Sequence, residues 1–403
     1  MEVDISKAED RGEPVSQMEP MLIGARHRGK LTDLALELAL KAAGFRRKLP
    51  ESMLGSLVDL VRVMNSYYSN LIGGHDTHPI DIERALKNDY SQDRHKRHLQ
   101  LEAKAHIAVQ EWIDRGGLHG RVAGADSILE IHRRFCGLLP EDLLWVVDPE
   151  KKERLRVVGG QTRKRDGLGG VQLAVSAGAI PRFLARFTEV YGTANKTDSI
   201  LAAATAHHRL LWIHPFLDGN GRVARLLSHA MLLESLETGA IWSVARGLAR
   251  SLESYKSHLA ACDQPRRNDL DGRGRLSEEA LAEFAEFFFG ICIDQVDFME
   301  GSVQPDTLRA RIRAWAEEEI RLGKLPAKSD SMLEAILERG ELARGDAAAV
   351  VNTSDRQARR IFSALLDQGV LISENPRSPL RLAFPAHLAS RWMPGLFPER
   401  KAS

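Results

Sequence analysis

The segment from His214 to Arg225, HPFLDGNGRVAR, places several chemically active side chains close together in the chain. A glycine-rich turn that leads into a helix presents backbone N–H groups and the positive end of the helix dipole to an anion. Arg222 and Arg225 are three residues apart, so both guanidinium groups can bind phosphate oxygens on one side of that helix. His214 can act as a general base, and the carboxylate of Asp218 can hold Mg²⁺ against phosphates. The segment therefore predicts a site that binds a phosphorylated ligand and moves a proton.

Two helices must position this segment. The pattern DSILAAATAHHRLLWI predicts a helix over residues 198–213, with Asp198 as its N-cap, and Pro215 then ends it. A second helix is predicted to begin near Gly221, after a turn rich in residues with positive φ. A Gly-Asn-Gly turn, an arginine pair or a histidine at a helix end each has an ordinary structural explanation when it occurs alone. Their combination in this order and spacing favours a functional site.

Composition restricts the class of protein. The chain has 403 residues, with 56 Lys and Arg against 55 Asp and Glu, a formal net charge of +1. This balance excludes a highly charged disordered chain and predicts that any anion-binding site is local. Three widely spaced cysteines argue against disulfides and zinc and favour a reducing compartment. The polar N-terminus and the short apolar run 284–296 predict a cytoplasmic protein with no signal peptide and no membrane association.

The chain divides into five predicted regions. Residues 1–20 are predicted to be a flexible tail, 21–110 an N-terminal helical region, 111–300 the core that carries the motif, 301–326 a linker helix, and 327–403 a C-terminal domain. Within residues 143–180, short β-branched stretches followed by a polar tip between glycines predict a β-hairpin or flap. After Ser329 the order helix, short helix, turn, helix, strand, strand is typical of a winged helix.

The residues from His214 to Arg225 match the pattern H-x-F-x-[DE]-G-N-G-R-x-x-R at every defined position, and the chain therefore resembles the Fic (Fic/Doc) family. Further similar stretches are NSYYSNLIGGHDTHPIDIERAL, the flap at 160–180, WSVARGL at 242–248 and the C-terminal winged helix, so the resemblance covers residues 20 to 398. It implies a mainly α fold with a Fic-type helical core over 111–300, a β-hairpin flap and a C-terminal winged helix-turn-helix domain. It also implies the long bacterial form of the family, with an inhibitory helix within 21–110.

The resemblance implies protein AMPylation, the transfer of AMP from ATP to a Ser, Thr or Tyr hydroxyl of a target protein or of the enzyme itself. His214 would deprotonate the hydroxyl, and Phe216 would anchor the loop from below. Asp218 would bind Mg²⁺, so ATP and Mg²⁺ are the implied cofactors. By the same resemblance, the α- and β-phosphates would lie on Gly219, Asn220 and Gly221, the β-phosphate on Arg222 and the γ-phosphate on Arg225.

The target and the nucleotide base have weaker sequence signals. By the resemblance, the flap from Gly160 to Leu173 would hold a target segment by strand addition, with Val171, Gln172 and Leu173 as the pairing edge. An ordinary surface hairpin is the alternative. Tyr255, together with Trp242 and Leu259, is a candidate wall of the base pocket, although buried apolar residues of the core would have the same appearance.

The chain departs from the family pattern at Gly73. Inhibitory helices of longer Fic proteins end in [ST]-x-x-x-E-[GN], where the Glu pairs with the second motif arginine. Here the stretch is Ser69-Asn70-Leu71-Ile72-Gly73-Gly74, with Gly at the Glu position. We expect Arg225 to be free and the enzyme to be active without relief of inhibition. The alternative is that Gly73 is only a helix C-cap.

Other patterns leave alternatives open. The cluster His75-Asp76-Thr77-His78 and the loop 268–279 resemble metal sites, but the former has no third ligand nearby and the latter has arginines at ligand positions. In the winged helix, Arg356, Arg359 and Arg360 fall on the recognition helix, although residues 326–403 contain only 11 Lys and Arg against 9 Asp and Glu. The alternative functions are a DNA-binding regulator that senses nucleotide and a Fic enzyme that transfers another group. A homodimer is a further alternative for the assembly.

Overall fold

The computed structural model of the protein describes residues 8–167, 173–193, 196–236 and 240–398, and this part of the chain is mainly helical. Its helices are α1 Ala25–Lys48, α2 Glu51–Ile72, α3 Pro79–Leu86, α4 Arg94–Asp114, α5 Ala125–Gly137, α6 Ile180–Tyr191, α7 Lys196–Ile213, α8 Asn220–Leu236, α9 Val244–Arg250, α10 Leu252–Cys262, α11 Glu278–Ser302, α12 Pro305–Arg321, α13 Ser329–Arg339, α14 Ala347–Val350, α15 Asp355–Asp367 and α16 Ala389–Trp392. Within the described ranges, no helix is long and apolar enough to cross a membrane. The predicted mainly α fold class is confirmed.

Five short strands accompany these helices in the described residues: β1 Trp145–Val147, β2 Arg154–Arg156, β3 Glu341–Leu342, β4 Leu371–Ile372 and β5 Leu380–Leu382. Strands β1 and β2 form an antiparallel hairpin, with Val146 opposite Leu155, at the start of the region 143–180 where a β-hairpin or flap is predicted. The flap predicted from Gly160 to Leu173 is not a strand pair in its described part, because residues 160–167 and Leu173 lie outside any strand. Val171 and Gln172 lie outside the described residues.

The centre of the molecule is a helical core built on α7 and α8, which pack extensively on each other. Helix α11 packs along α1 and α7, and its apolar face is fully buried through Phe284, Phe288 and Phe289. The apolar run in this region is therefore a buried helix, as its length predicts. Because α7 and α8 are held by helices on several sides, the loop between them has a rigid support.

The prediction of a flexible tail is wrong for residues 8–20, which pack against α6 and the segment before it. The carboxylate of Glu13 accepts hydrogen bonds from the backbone N–H and the hydroxyl of Ser176, at 2.8 and 2.7 Å. Asp10 pairs with Arg182, and Met18 is completely buried. The polar side chains of this segment bind partners more than 160 residues away in the chain. A local sequence pattern does not reveal such partners, so the segment has the composition of a tail.

Residues 329–382 contain helices α13, α14 and α15 and a three-stranded antiparallel sheet with the order β3-β5-β4. The element order matches the one predicted for a winged helix, with β3 as an additional strand. The identification of residues 327–403 as a separate winged-helix domain stays a prediction, as do the other domain boundaries. This region also packs on α2, where the hydroxyl of Ser56 donates to the carbonyl of Leu382 at 2.6 Å.

The last described segment also contacts α2. The hydroxyl of Tyr68 donates to the carbonyl of Leu396 at 2.6 Å. Arg246 of α9 donates to the same carbonyl at 3.3 Å and to the carbonyl of Gly395 at 2.7 Å. The ring of Phe397 lies edge-on to Tyr67, with centroids 5.6 Å apart. These contacts fix the C-terminal half of α2 against the helical core.

Candidate functional site

The loop between α7 and α8 contains two residues with positive φ, His214 at 50° and Gly219 at 86°. Positive φ is unfavourable for a residue with a side chain, so His214 is held there by its surroundings. In the turn Asp218–Gly221 only Gly219 has positive φ, which corrects the expectation of several such residues. Helix α8 begins at Asn220, one residue earlier than predicted, and its N-terminus opens onto the loop.

The side chain of Asn220 ties the loop to the start of α8. Its Oδ1 accepts from the backbone N–H of Phe216 at 2.9 Å, and its Nδ2 donates to the Phe216 carbonyl at 2.8 Å. Phe216 is completely buried and stacks on the ring of His132, with centroids 3.8 Å apart. The expectation that Phe216 anchors the loop is confirmed. The amide of Asn220 thus maintains the shape of the loop, and its predicted contact with phosphates stays a prediction.

His214 is held through its backbone by Arg163. The Nε of Arg163 donates to the His214 carbonyl at 2.8 Å, and the Arg163 N–H donates to the Pro215 carbonyl at 2.8 Å. Burial lowers the pKa of the His214 imidazole, and the nearby Arg163 cation lowers it further. A histidine in this environment is neutral around pH 7, which is the form that accepts a proton.

Arg222 lies between two carboxylates. Its Nη2 donates to Oε2 of Glu102 on α4 at 3.0 Å, and its Nη1 is 3.8 Å from Oδ2 of Asp218. Glu102 Oε2 is also 3.0 Å from Nδ1 of His75. The hydrogen bond to Glu102 raises the pKa of His75. Burial alone would raise the pKa of Glu102, but His75 and Arg222 together lower it. Asp218 itself is exposed to solvent.

Arg225 points into the protein toward the end of α2. Its Nε donates to the Ser69 hydroxyl at 2.8 Å, and its Nη2 donates to the Ser69 carbonyl at 3.0 Å. Among the described residues, no carboxylate lies within 4 Å of this guanidinium. Burial lowers the pKa of Arg225 to about 10. A buried cation without an anionic partner is costly, so an incoming phosphate would be strongly favoured here.

Gly73 lies directly beside this arginine. Helix α2 ends at Ile72, and the N–H of Gly73 donates to the Ser69 carbonyl at 3.3 Å, the same oxygen that Arg225 binds. The backbone of Gly73 has φ −77°, so glycine is not required by its conformation. A Cβ there would meet only backbone oxygens, the nearest being that of Asn70 at 3.3 Å. The position could therefore hold a side chain directed at Arg225.

The candidates for the base pocket are not arranged as expected. Tyr255 is buried, and its hydroxyl is hydrogen-bonded to Nε2 of His207 at 2.6 Å and faces the Arg225 guanidinium. Tyr255 therefore packs against Arg225 on the side of the protein interior, and this position corrects its prediction as a contact of the nucleotide base. Trp242 is buried as well, in agreement with the alternative that it belongs to the core. Leu259 is half-buried and packs against the same core.

Sequence reasoning missed three residues that shape the site. Arg163, His132 and Glu102 contact the motif from other elements. They are distant in sequence from the motif, and no spacing rule connects them to it. Ser69, which also contacts the motif, had a sequence signal, since it matches the first position of the inhibitory-helix pattern.

A metal ion at this site would need coordinating atoms from a bound substrate in addition to those of the protein. In the ranges that the structure describes, no group of three or more His, Cys, Asp or Glu side chains could hold a metal ion by itself. His75, part of the cluster that resembled a metal site, is bound to Glu102. The exposed carboxylate of Asp218 beside a helix N-terminus fits Mg²⁺, which commonly binds one protein carboxylate together with substrate phosphates.

The sequence of residues 124–232 matches the Fic/DOC family. This part of the chain is a Fic/DOC family domain. The match contains α5, α6, α7, most of α8 and the whole motif, and the predicted family resemblance is confirmed for it. The Fic domain as matched is shorter than the predicted core of 111–300.

Curated relatives match the Fic domain alone. The "Protein adenylyltransferase Fic" of Drosophila grimshawi is 33% identical over 111 residues, which is 27% of this chain and 20% of the relative. The protein of the same name from Culex quinquefasciatus is 35% identical over 114 residues, which is 27% of this chain and 19% of the relative. The chain thus aligns with about a fifth of the length of these relatives.

Solved structures share the fold of the Fic domain and its surroundings. A Fic family protein from Desulfovibrio desulfuricans superimposes with a TM-score of 0.51 at 18% identity, over 88% of this chain and 96% of the other. Fic-1 from C. elegans superimposes with a TM-score of 0.50 at 17% identity, over 69% of this chain and 76% of the other. At these identities the likeness concerns the fold.

Proposed function

We propose that the protein is an adenylyltransferase that transfers AMP from ATP to a hydroxyl of a target protein. The observation that carries this proposal is the Arg225 guanidinium, which is buried near the N-terminal turns of α8 and has no carboxylate within 4 Å among the described residues. A triphosphate laid along Gly219 and the start of α8 would bring anionic oxygens to this cation and to Arg222. The names of the relatives that match the Fic domain support the same activity.

In this mechanism His214 accepts the proton of the attacking hydroxyl. The hydroxyl oxygen forms a bond to the α-phosphorus, the bond between that phosphorus and the bridging oxygen breaks, and pyrophosphate leaves. Backbone N–H groups at the start of α8 and the two arginines stabilise the charge on the phosphates. Mg²⁺ held by Asp218 would neutralise phosphate oxygens when bound. Arg163 and Asn220 keep the loop in the conformation that presents His214.

The target would approach from the side of the hairpin. A cavity of about 260 Å³ lies between β2, the segment 161–165 and the loop residue Leu217. Arg163, which holds the His214 carbonyl, lines this cavity and connects it to the proposed base. A side chain of the target protein entering here would lie next to the loop that carries the catalytic histidine. Leu173, at the edge of the predicted flap, stays a proposed target contact.

Intact-mass spectrometry after incubation with ATP and Mg²⁺ tests the transferred group. We expect a mass increase of one AMP unit on the protein itself or on proteins of a lysate, and incorporation of radiolabel from the α-phosphate of ATP. Label from the γ-phosphate would instead identify a phosphotransferase and overturn the AMP assignment. A reaction without Mg²⁺ serves as the control.

A second function, DNA binding, is favoured by one observation on α15. Arg356, Arg359 and Arg360 are exposed, and none of them has a carboxylate within 4 Å among the described residues. The hydroxyl of Ser354 caps this helix by accepting from the N–H of Gln357. Unpaired arginines on an exposed helix face are suited to phosphate contacts. We infer that this helix is the DNA-binding surface if the protein also acts as a regulator.

Fluorescence anisotropy with a labelled random-sequence duplex tests this second function. Replacing Arg356, Arg359 and Arg360 by Gln should weaken DNA binding. The logarithm of the association constant should then fall less steeply with the logarithm of the salt concentration, by about one unit of slope for each lost phosphate contact. Arg313→Gln, which removes an arginine already paired with Glu317, is the matched control. Equal salt slopes for the triple variant and the unaltered protein would exclude α15 as a DNA surface.

A further inference from the structure

Two carboxylates compete for the guanidinium of Arg222. Glu102 holds Nη2 at 3.0 Å, while Asp218 lies 3.8 Å from Nη1. Asp218 lies two residues before α8 and four residues before Arg222, a spacing at which opposite charges readily pair. The Arg222–Asp218 pair is nevertheless the longer of the two, so Glu102 determines where the guanidinium lies.

Glu102 is suited to this role because it is fixed and desolvated. It lies on α4, and its side chain is 11% exposed, compared with 56% for Asp218. An ion pair between two buried groups is screened less by water than a pair with an exposed carboxylate. The ring of Phe135 lies 5.2 Å from the Arg222 guanidinium and supports it from the side. Arg222 is therefore attached to the protein interior and leaves Asp218 exposed.

Loss of the charge on Glu102 would reverse this arrangement. The nearest remaining carboxylate for Arg222 would be Asp218, and a rotation of the side chain would close the 3.8 Å gap between them. Asp218 would then be neutralised by an arginine at the position where a divalent cation would bind. The guanidinium would also turn away from the interior. The neutralisation of Asp218 weakens a metal–nucleotide complex more than a nucleotide alone, because only the complex needs that carboxylate.

We propose that Glu102 is a positioning residue that keeps Arg222 away from Asp218 and thereby reserves Asp218 for Mg²⁺. The proposal rests on the proposed function, because it assumes that ATP and Mg²⁺ bind at this loop. Glu102 does not touch the reacting atoms in this scheme. It acts through Arg222, and its effect is specific to the metal-dependent part of nucleotide binding.

The test is the dissociation constant of ATP, measured by calorimetry with Mg²⁺ and again with EDTA, in a His214→Ala background that prevents turnover. The ratio of the two constants reports how much Mg²⁺ contributes. With Glu102→Gln we expect this ratio to fall about tenfold, since one charge-assisted contact is worth an effect of that order. Glu102→Asp, which keeps the charge, should stay within about twofold of the ratio for intact Glu102.

Glu111→Gln is the matched control, because Glu111 lies on the same helix and pairs with the exposed Arg115 at 2.6 Å. It should leave the ratio unchanged. A merely structural role of Glu102 would weaken both constants by the same factor, and an unchanged ratio for Glu102→Gln would overturn the proposal. A lower folded fraction changes the stoichiometry and not the ratio. Absence of ATP binding to the His214→Ala protein under both conditions would reject the proposed function instead.

Discussion

Replacing His214 with alanine should lower AMP incorporation from α-labelled ATP by about a hundredfold to ten-thousandfold, the usual contribution of a general base. The imidazole is the only proposed proton acceptor at the loop, and its backbone position is held by Arg163. Binding of ATP should be largely retained, because the phosphate contacts come from α8. Initial rates of label transfer, together with ATP affinity, measure the two effects separately.

The same residue sets the expected pH dependence. Since burial and Arg163 lower the pKa of His214, the imidazole stays neutral to a lower pH than an ordinary histidine. The rate should therefore fall only when the pH drops through this lowered value, and the acid limb should lie below the usual histidine range. His119→Ala is the control, because this side chain is exposed and lies beside Glu234, near the end of α8 opposite to the motif. Full labelling by the His214→Ala protein would contradict the assignment of the base.

Replacing Gly73 with glutamate should reduce AMP incorporation about tenfold to a hundredfold, which corresponds to one charge-assisted hydrogen bond. Gly73 and Arg225 bind the same Ser69 carbonyl, so a carboxylate at this position would reach the guanidinium. The pair would neutralise Arg225 and occupy the space of the γ-phosphate. The φ of −77° allows a side chain at Gly73, and its Cβ would lie 3.3 Å from the Asn70 carbonyl oxygen, a contact that a small local shift relieves. Rates of label transfer and ATP affinity are the measurements.

Two variants separate charge from position in this experiment. Gly73→Gln introduces a side chain of similar size without charge and should reduce labelling much less. Gly55→Glu introduces the same charge on the exposed side of the same helix, where a Cβ meets nothing within 4 Å, and should leave labelling unchanged. Undiminished labelling by the Gly73→Glu protein would leave Gly73 as a helix cap only.

The central loop could be predicted because its determinants are local. Proline, glycines and the helical periodicity on either side specify where α7 ends and α8 begins, and the structure differs by a single residue at Asn220. The β1–β2 hairpin and the end of α2 before Gly73 follow from equally short-range signals. The same local pattern overestimated the number of positive-φ residues, because a helix that begins at Asn220 removes Gly221 from the turn.

The support of the loop could not be predicted, since it depends on pairs that are far apart in sequence. Glu102 and Arg222 are separated by 120 residues, and Ser69 and Arg225 by 156. Tyr255 shows a different difficulty. The sequence suggested that this aromatic residue contacts the nucleotide base, whereas in the structure it is buried and bonded to His207. Composition and periodicity indicate which residues are buried, but not which buried polar groups meet each other.

The contacts of Tyr68 and Arg246 with the carbonyl of Leu396 bear on the order in which the protein matures. Tyr68 is separated from this partner by 328 residues, so a nascent chain exposes α2 long before its acceptor has been translated. Closing so long a loop is slow, because chain entropy is lost before the contact is gained. The neighbouring Ser69, which binds Arg225, lies on the same part of α2. This part of α2 therefore gains the last of its contacts only in chains whose synthesis has passed residue 396.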